Sequence, residues 1–174
     1  DRDQFEVYAY AFGPEKSDNM TDRIKNSADV FKDIRKLTDK DAALLARKDE
    51  IDVAIDLTGF TYSSRLGIFA HRAAPVQINY IACASTIGAD FIDYIIADRF
   101  CIPQEHEKFY TESIIYLPNC YQVNDNTRVI SERIFTRTEM GLPEVGFVFC
   151  TFNSTFKITS EEFDVWMRVM HKVE

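Results

Sequence analysis

The apolar positions of this chain change their period several times, and each change predicts a new element. Phe5 to Phe12 is a nearly unbroken run rich in aromatic residues. Gly13 and Pro14 stop it, so it reads as a strand. Thr21 to Ala28 carries a weak helical pattern. Asp39 to Lys48 carries a stronger one, with Ala42, Leu45 and Ala46 on one helical face and polar residues elsewhere. Ile51 to Leu57 is short, β-branched and almost continuous, which predicts a strand covered on both faces. Ser64 to Ala73 predicts a helix closed by Pro75, and Val76 to Cys83 the next strand. Phe91 to Ala97 and Ser113 to Leu117 are further strand segments.

Residues 118–139 are polar and without clear period, as expected of a connection between domains. After Gly141-Leu142-Pro143, Phe147 to Phe152 predicts a strand and residues 153–158 a turn. The final helix is the best marked. Thr159 as N-cap, with Glu162 three residues on, makes a capping box. Phe163, Trp166, Met167 and Met170 then recur at i, i+3, i+4 and i+7. Strands alternating with helices predict a parallel sheet covered by helices, an α/β, Rossmann-like architecture. The expected division is a unit over 1–117, a linker over 118–141, and the start of a second unit over 142–174.

Composition narrows the function classes. The 174 residues are 46% hydrophobic and 28% charged, which suits a globular domain or the abutting parts of two. A net charge of −8 argues against a nucleic-acid or anionic-membrane surface, because phosphate backbones need clustered cations. No apolar run approaches the ~20 residues of a membrane span. Cys83, Cys101, Cys120 and Cys150 form no C-x-x-C, and buried reduced thiols of a cytoplasmic protein are expected; zinc or disulfide pairing is the alternative. The chain opens without Met and stops inside a helical pattern, which reads as a piece of a longer protein.

Ligands of open parallel sheets bind beyond the carboxyl ends of the strands. Three segments answer to that rule: 56–65, 82–90 and 152–158. In the third, a turn leads into a helix whose free N–H groups and dipole suit an anion, and Lys157 adds a full charge. A solvated loop lysine is the plainer alternative. In the first, Gly59 marks a tight turn, and Ser63 or Ser64 serves as a helix cap or a ligand donor. Asp52 and Asp56 share a face of one strand and need partners, for which Arg65 or Arg72 would serve. His71, His106 and His171 have no ligand or nucleophile spacing, and neither P-loop nor G-x-G-x-x-G is present.

Several runs resemble the O-GlcNAc transferase and SPINDLY family. Ile55-Asp56-Leu57-Thr58-Gly59-Phe60-Thr61, with Arg65 and Arg72-Ala73-Ala74-Pro75-Val76-Gln77, is similar to its "D-L-x-G-[YF]-T … R … R-P-A-P-[IV]-Q" run. Asp93 to Asp98 resembles "DYIITD", and Phe149 to Ile158 resembles "F-x-x-F-N-x-x-x-K-I". The likeness runs in order from about Phe5 nearly to the end. It implies part of a two-lobed, GT-B-type enzyme that transfers a sugar from a nucleotide diphosphate to Ser or Thr of proteins, without metal or other cofactor. UDP-GlcNAc is the expected donor ahead of GDP-fucose, and tetratricopeptide repeats are expected elsewhere in the full chain. By the same resemblance Lys157 would hold the diphosphate, with Asn153 and Ser154 beside it. Ile81, Ala82, Ala84 and Thr86 would approach the sugar, and Asp52 would stand where animal members carry a His near the active site. The sugar-facing loop departs from the family's "[WL]-x-G-Y-P-G-T-[ST]-G": Tyr80-Ile81-Ala82-Cys83-Ala84-Ser85-Thr86-Ile87-Gly88 lacks its Pro and its first two Gly. Alternatives are a glycan acceptor or a catalytically silent scaffold. The upstream catalytic histidine segment of the family is absent from these residues, so this piece alone is expected not to turn over.

Overall fold

A computed structural model describes residues 2–173. The chain divides into two compact units, Asp1–Asp125 and Asn126–Glu174. In the first, β1 (Tyr8–Ala11) and β2 (Val30–Asp33) pair in parallel around α1 (Asn19–Ser27). After α2 (Asp39–Lys48) come β3 (Val53–Asp56), the short α3 (Gly67–Ala70), β4 (Val76–Asn79), β5 (Tyr94–Ala97) and β6 (Ser113–Tyr116). These four strands form a parallel sheet in the order β3-β4-β5-β6.

The helices form where local chemistry supports them. Thr38 caps α2 by accepting from the Asp41 N–H, acidic residues fill the first turn, and Arg47 and Lys48 fill the last. Ala42, Ala43 and Ala46 lie buried in the main core with Ile34, Phe69 and Ile92. Tyr10 of β1 and Ala54 of β3 pack on that same core, so both sheets rest on α2. Asp49, at the end of α2, fastens the smaller sheet: Tyr10 Oη donates to it at 2.6 Å and Lys32 Nζ at 2.5 Å. A second core, Ile95, Ala97 and Ile102, lies under β5 and β6.

Strand register separates the two faces of the four-stranded sheet. Ala54, Asp56, Gln77, Asn79, Ile95 and Ala97 share the inner face. Gln77 is wholly buried there, accepting from Ala73 N–H and donating to the carbonyls of Phe69 and Phe91. Val53, Ile55, Tyr94 and Ile115 line the other face and are 45%, 47%, 38% and 37% exposed. The expectation of a β3 covered on both sides is therefore corrected, since only its inner face is packed.

Other expectations also change. Residues 64–73 supply only one helical turn, because Arg72 takes a φ of +56° and turns the chain toward Pro75. β2, with just four residues, carried no periodic signal long enough to be noticed. The second unit has no strand among its described residues. Phe147, Phe149 and Phe152 are exposed, and a strand without a neighbour to bond has nothing to hold it. α4 (Ser160–Met170) does form behind its capping box, with Thr159 N–H donating to Glu162 Oε2 at 2.9 Å and Glu162 N–H to Thr159 Oγ1 at 3.3 Å. All four cysteines are free and exposed rather than buried, because they fall in loops and beyond strand ends. Among the described residues no helix is long and apolar enough to cross a membrane.

Candidate functional site

The parallel arrangement gathers three loops beyond the carboxyl ends of β3, β4 and β5. Asp56, at the end of β3, is 4% exposed. Its carboxylate accepts from Thr58 N–H at 3.0 Å, Thr58 Oγ1 at 2.6 Å and Gly59 N–H at 2.9 Å. It thus bends its own loop and bonds to neither Arg65 nor Arg72. Arg65 instead pairs with Asp39 and donates to the carbonyls of Ile34 and Leu37, and Arg72 pairs with Asp93. Gly59, at φ +53°, occupies a conformation that favours glycine.

Beyond β4 the loop Ile81–Thr86 begins with a tight turn. Tyr80 N–H donates to the Asp56 carbonyl, and Ala82 N–H returns to the Tyr80 carbonyl at 3.0 Å. Ile81, between them, has φ +71°, a conformation that costs a β-branched residue about 1–3 kcal/mol and persists only when its surroundings enforce it. Those surroundings are three side chains. Asn79 Nδ2 donates to the Ser85 carbonyl at 3.2 Å, and Tyr110 Oη to the Ala84 carbonyl at 2.7 Å. Buried Glu112 accepts from Thr86 Oγ1 at 2.7 Å and Ile87 N–H at 2.6 Å. The loop lacks the glycines and proline expected of it and takes its shape from these bonds. Ala82 and Cys83 are left exposed.

A third group escaped the sequence reading. Asp98 follows β5, is buried, and accepts from Tyr121 N–H at 2.8 Å, Cys101 N–H at 2.8 Å and Phe100 N–H at 2.9 Å. The Tyr121 and Cys101 N–H groups hold its carboxyl below the usual carboxylate range. Tyr80 Oη donates to the Tyr121 carbonyl, so the segments after β4, β5 and β6 are tied together. The signals were the position of Asp98 directly after a strand and its place at the end of the run that resembles "DYIITD".

Asp52 lies elsewhere. It is exposed, precedes β3, and its carbonyl accepts from Val76 N–H at 3.2 Å. That puts it at the amino ends of β3 and β4, in a shallow depression with Arg47, Glu50, Arg72 and Pro75. Parallel strands send Ile81, Ala82, Ala84 and Thr86 away from that edge, so Asp52 and the loop are not brought together.

In the second unit, Asn153, Ser154 and Lys157 are exposed, Lys157 closing a 3₁₀ turn (Thr155–Lys157) ahead of α4. The Glu162 carboxylate already occupies part of the start of α4, and the Thr159 N–H and hydroxyl hold it below its ordinary value. An anion would meet Lys157 and the remaining N–H groups of the first turn. Among the described residues, no group of three or more His, Cys, Asp or Glu is placed to hold a metal ion.

A parallel α/β sheet with its polar loops at the carboxyl edge is a Rossmann-like arrangement. Comparison with known proteins gives the family. The profile of glycosyl transferase family 41 matches residues 1–133, and the chain belongs to that family. The probable UDP-N-acetylglucosamine–peptide N-acetylglucosaminyltransferase SEC of Arabidopsis thaliana is 33% identical over 177 residues, covering 99% of this chain and 18% of that protein. The corresponding SPINDLY protein of Arabidopsis thaliana is 31% identical over 156 residues, 89% of this chain and 17% of its own. A mutant of Thermobaculum terrenum O-GlcNAc transferase superposes with a TM-score of 0.67 at 37% identity, covering 70% of this chain and 23% of that one. The fold is that of a GT-B glycosyltransferase. The chain spans less than a fifth of the length of these two plant relatives.

Proposed function

We propose that this chain is part of a cytoplasmic glycosyltransferase that moves a sugar from a nucleotide diphosphate to Ser or Thr hydroxyls of proteins. The observation that carries the proposal is the family match over 1–133, with the Ile81–Thr86 loop at the carboxyl edge of the sheet. UDP-GlcNAc is the donor we favour over GDP-fucose, since the relatives are named as UDP-N-acetylglucosamine–peptide transferases. In this reading the loop faces the sugar. Lys157 neutralises the departing diphosphate, with Asn153 and Ser154 beside it, so charge developing on the leaving oxygen meets a fixed cation. No metal or other cofactor takes part. Residues 118–141 cross between lobes, and tetratricopeptide repeats lie elsewhere in the longer protein. Asp52 stands at the amino edge, apart from the Ile81–Thr86 loop.

The test is calorimetry of UDP and GDP with the full-length protein, with Lys157→Ala alongside. Saturable UDP binding that is lost in the variant, together with sugar transfer to a peptide, supports the proposal. GDP binding in place of UDP moves the donor to fucose. Binding of neither makes the protein a silent scaffold.

A further inference from the structure

Free cysteine is among the most buried residue types, yet Cys101 and Cys120 both lie exposed in loops beyond the ends of β5 and β6. One carboxylate brings their backbones together. Asp98 Oδ1 accepts from Cys101 N–H at 2.8 Å, and Asp98 Oδ2 accepts from Tyr121 N–H at 2.8 Å. Cys120 immediately precedes Tyr121, so the two cysteine segments are anchored on the two oxygens of a single side chain. The second segment has further fastenings. Tyr80 Oη donates to the Tyr121 carbonyl at 2.7 Å, and Arg23 pairs with Asp125 at 2.7 Å. Residues 118–125 therefore form a strap that leaves β6, meets the segments after β5 and β4, and reaches α1.

The thiols also act on each other. Desolvation raises the Cys101 thiol most, the charge of Asp98 and a hydrogen bond to it add to this, and Cys120 contributes a further rise. A disulfide needs Cα atoms about 4.4–6.8 Å apart, and both cysteines stand in irregular backbone that can adjust to that span. Among the described residues no group of three or more ligands is placed for a metal ion, so oxidation is the chemistry open to this pair.

We propose that Cys101 and Cys120 form a reversible redox site in which a peroxide closes a disulfide between the turn after β5 and the strap after β6. This goes beyond the transferase reading and does not depend on it. Cys120 Sγ, as thiolate, attacks one oxygen of hydrogen peroxide; the O–O bond breaks, water leaves, and a sulfenic acid remains. Cys101, held back by its raised thiol, acts second. Its Sγ attacks the Cys120 sulfur, the S–O bond breaks, and a second water leaves. Two thiols have then lost two electrons and two protons, and one peroxide has become two waters. A thiol reductant reverses the bond by exchange. The bond adds a covalent fastening to the strap beside the Asp98 latch.

The experiment treats the reduced full-length protein with hydrogen peroxide, blocks the remaining thiols, and maps tryptic peptides without reductant. Trypsin cuts after Arg99, Lys108 and Arg128, so the bond joins peptide 100–108 to peptide 109–128. That pair is expected as the main disulfide, released by dithiothreitol. Cys101→Ser and Cys120→Ser should each abolish it, while Cys83→Ser leaves it in place. Asp98→Ala unties both backbones and should slow bond formation about tenfold through a lower effective concentration. If its thermal midpoint shows that this variant fails to fold, the serine variants decide. Several results overturn the pairing: no joined pair, oxidation that stops at sulfinic or sulfonic acid, a bond to Cys83 or Cys150 instead, or joined peptides found only in a covalent dimer. A folded Asp98→Ala variant that closes as fast as wild type overturns the role of the shared carboxylate.

Discussion

Replacing Glu112 with Ala should loosen the Ile81–Thr86 loop and much of the first unit with it. The carboxylate is 4% exposed and accepts from Ile87 N–H at 2.6 Å and Thr86 Oγ1 at 2.7 Å. Hydrogen bonds to a charged group contribute about 1.5–3 kcal/mol each. The buried Ile87 N–H has no other acceptor and takes the upper part of that range. The half-buried Thr86 hydroxyl can be rehydrated and takes the lower part. The sum is about 4–5 kcal/mol, a large share of the ~5–15 kcal/mol that holds a domain together. With a urea slope of about 1–3 kcal/mol/M, the unfolding midpoint should fall by roughly 2 M. Glu112→Gln keeps an oxygen for Ile87 and should lose only about 1 kcal/mol. Urea unfolding followed by circular dichroism measures both, and hydrogen exchange at the Ile87 amide reports the site directly. An Ala variant within about 1 kcal/mol of wild type, or a Gln variant as damaged as Ala, refutes this account of the loop.

Other perturbations test the remaining joints. Asp98 is held low, so its contribution is complete above its unfolded value of about 3.9 and is lost as pH falls through its lower folded value. A carboxyl NMR titration should place it below its free value, and Asp98→Asn should remove that acid-range loss. A normal titration would contradict the three N–H bonds. Thr159→Ala removes the capping box and should destabilise α4 by about 1 kcal/mol, read as faster amide exchange in its first turn. Gly67→Ala drives a methyl to 2.1 Å from Asp39 Oδ2 and should disturb the Asp39–Arg65 pair. A thermal midpoint lowered by the equivalent of about 1–3 kcal/mol is expected, and an unchanged one would mean that Asp39 moves freely.

Much of the fold was legible because its signals are local. The Asp39 to Lys48 spacing of apolar residues gave α2 to the residue, and the Thr38 cap, first-turn acids and last-turn bases agree with it. The Thr159 box gave α4 for the same reason. Strands were legible as segments but not as environments: the β-branched run at Ile51–Leu57 looks alike whether one face or both are packed. Phe147–Phe152 shows the limit of propensity, since pairing rather than composition makes a strand. The site was legible only in outline. The loop after β4 could be placed at the correct edge, but Glu112 and Tyr110, which shape it, are about 25 residues away in sequence and no pattern joins them. The resemblance that singled out Asp52 does not convey that it stands at the amino end of β3, where its carbonyl accepts from Val76 N–H.

The row of Val53, Ile55, Tyr94 and Ile115 on the outer face of the sheet has a practical side. Parallel sheets are ordinarily wrapped on both faces, and apolar side chains left facing water invite self-association. Handled as 174 residues, the chain should be well behaved when dilute, should bind dyes that light up on oily surfaces, and should cloud on concentration or with sulfate. For anyone preparing it, one polar replacement at Ile55 would do more for the sample than any change of buffer.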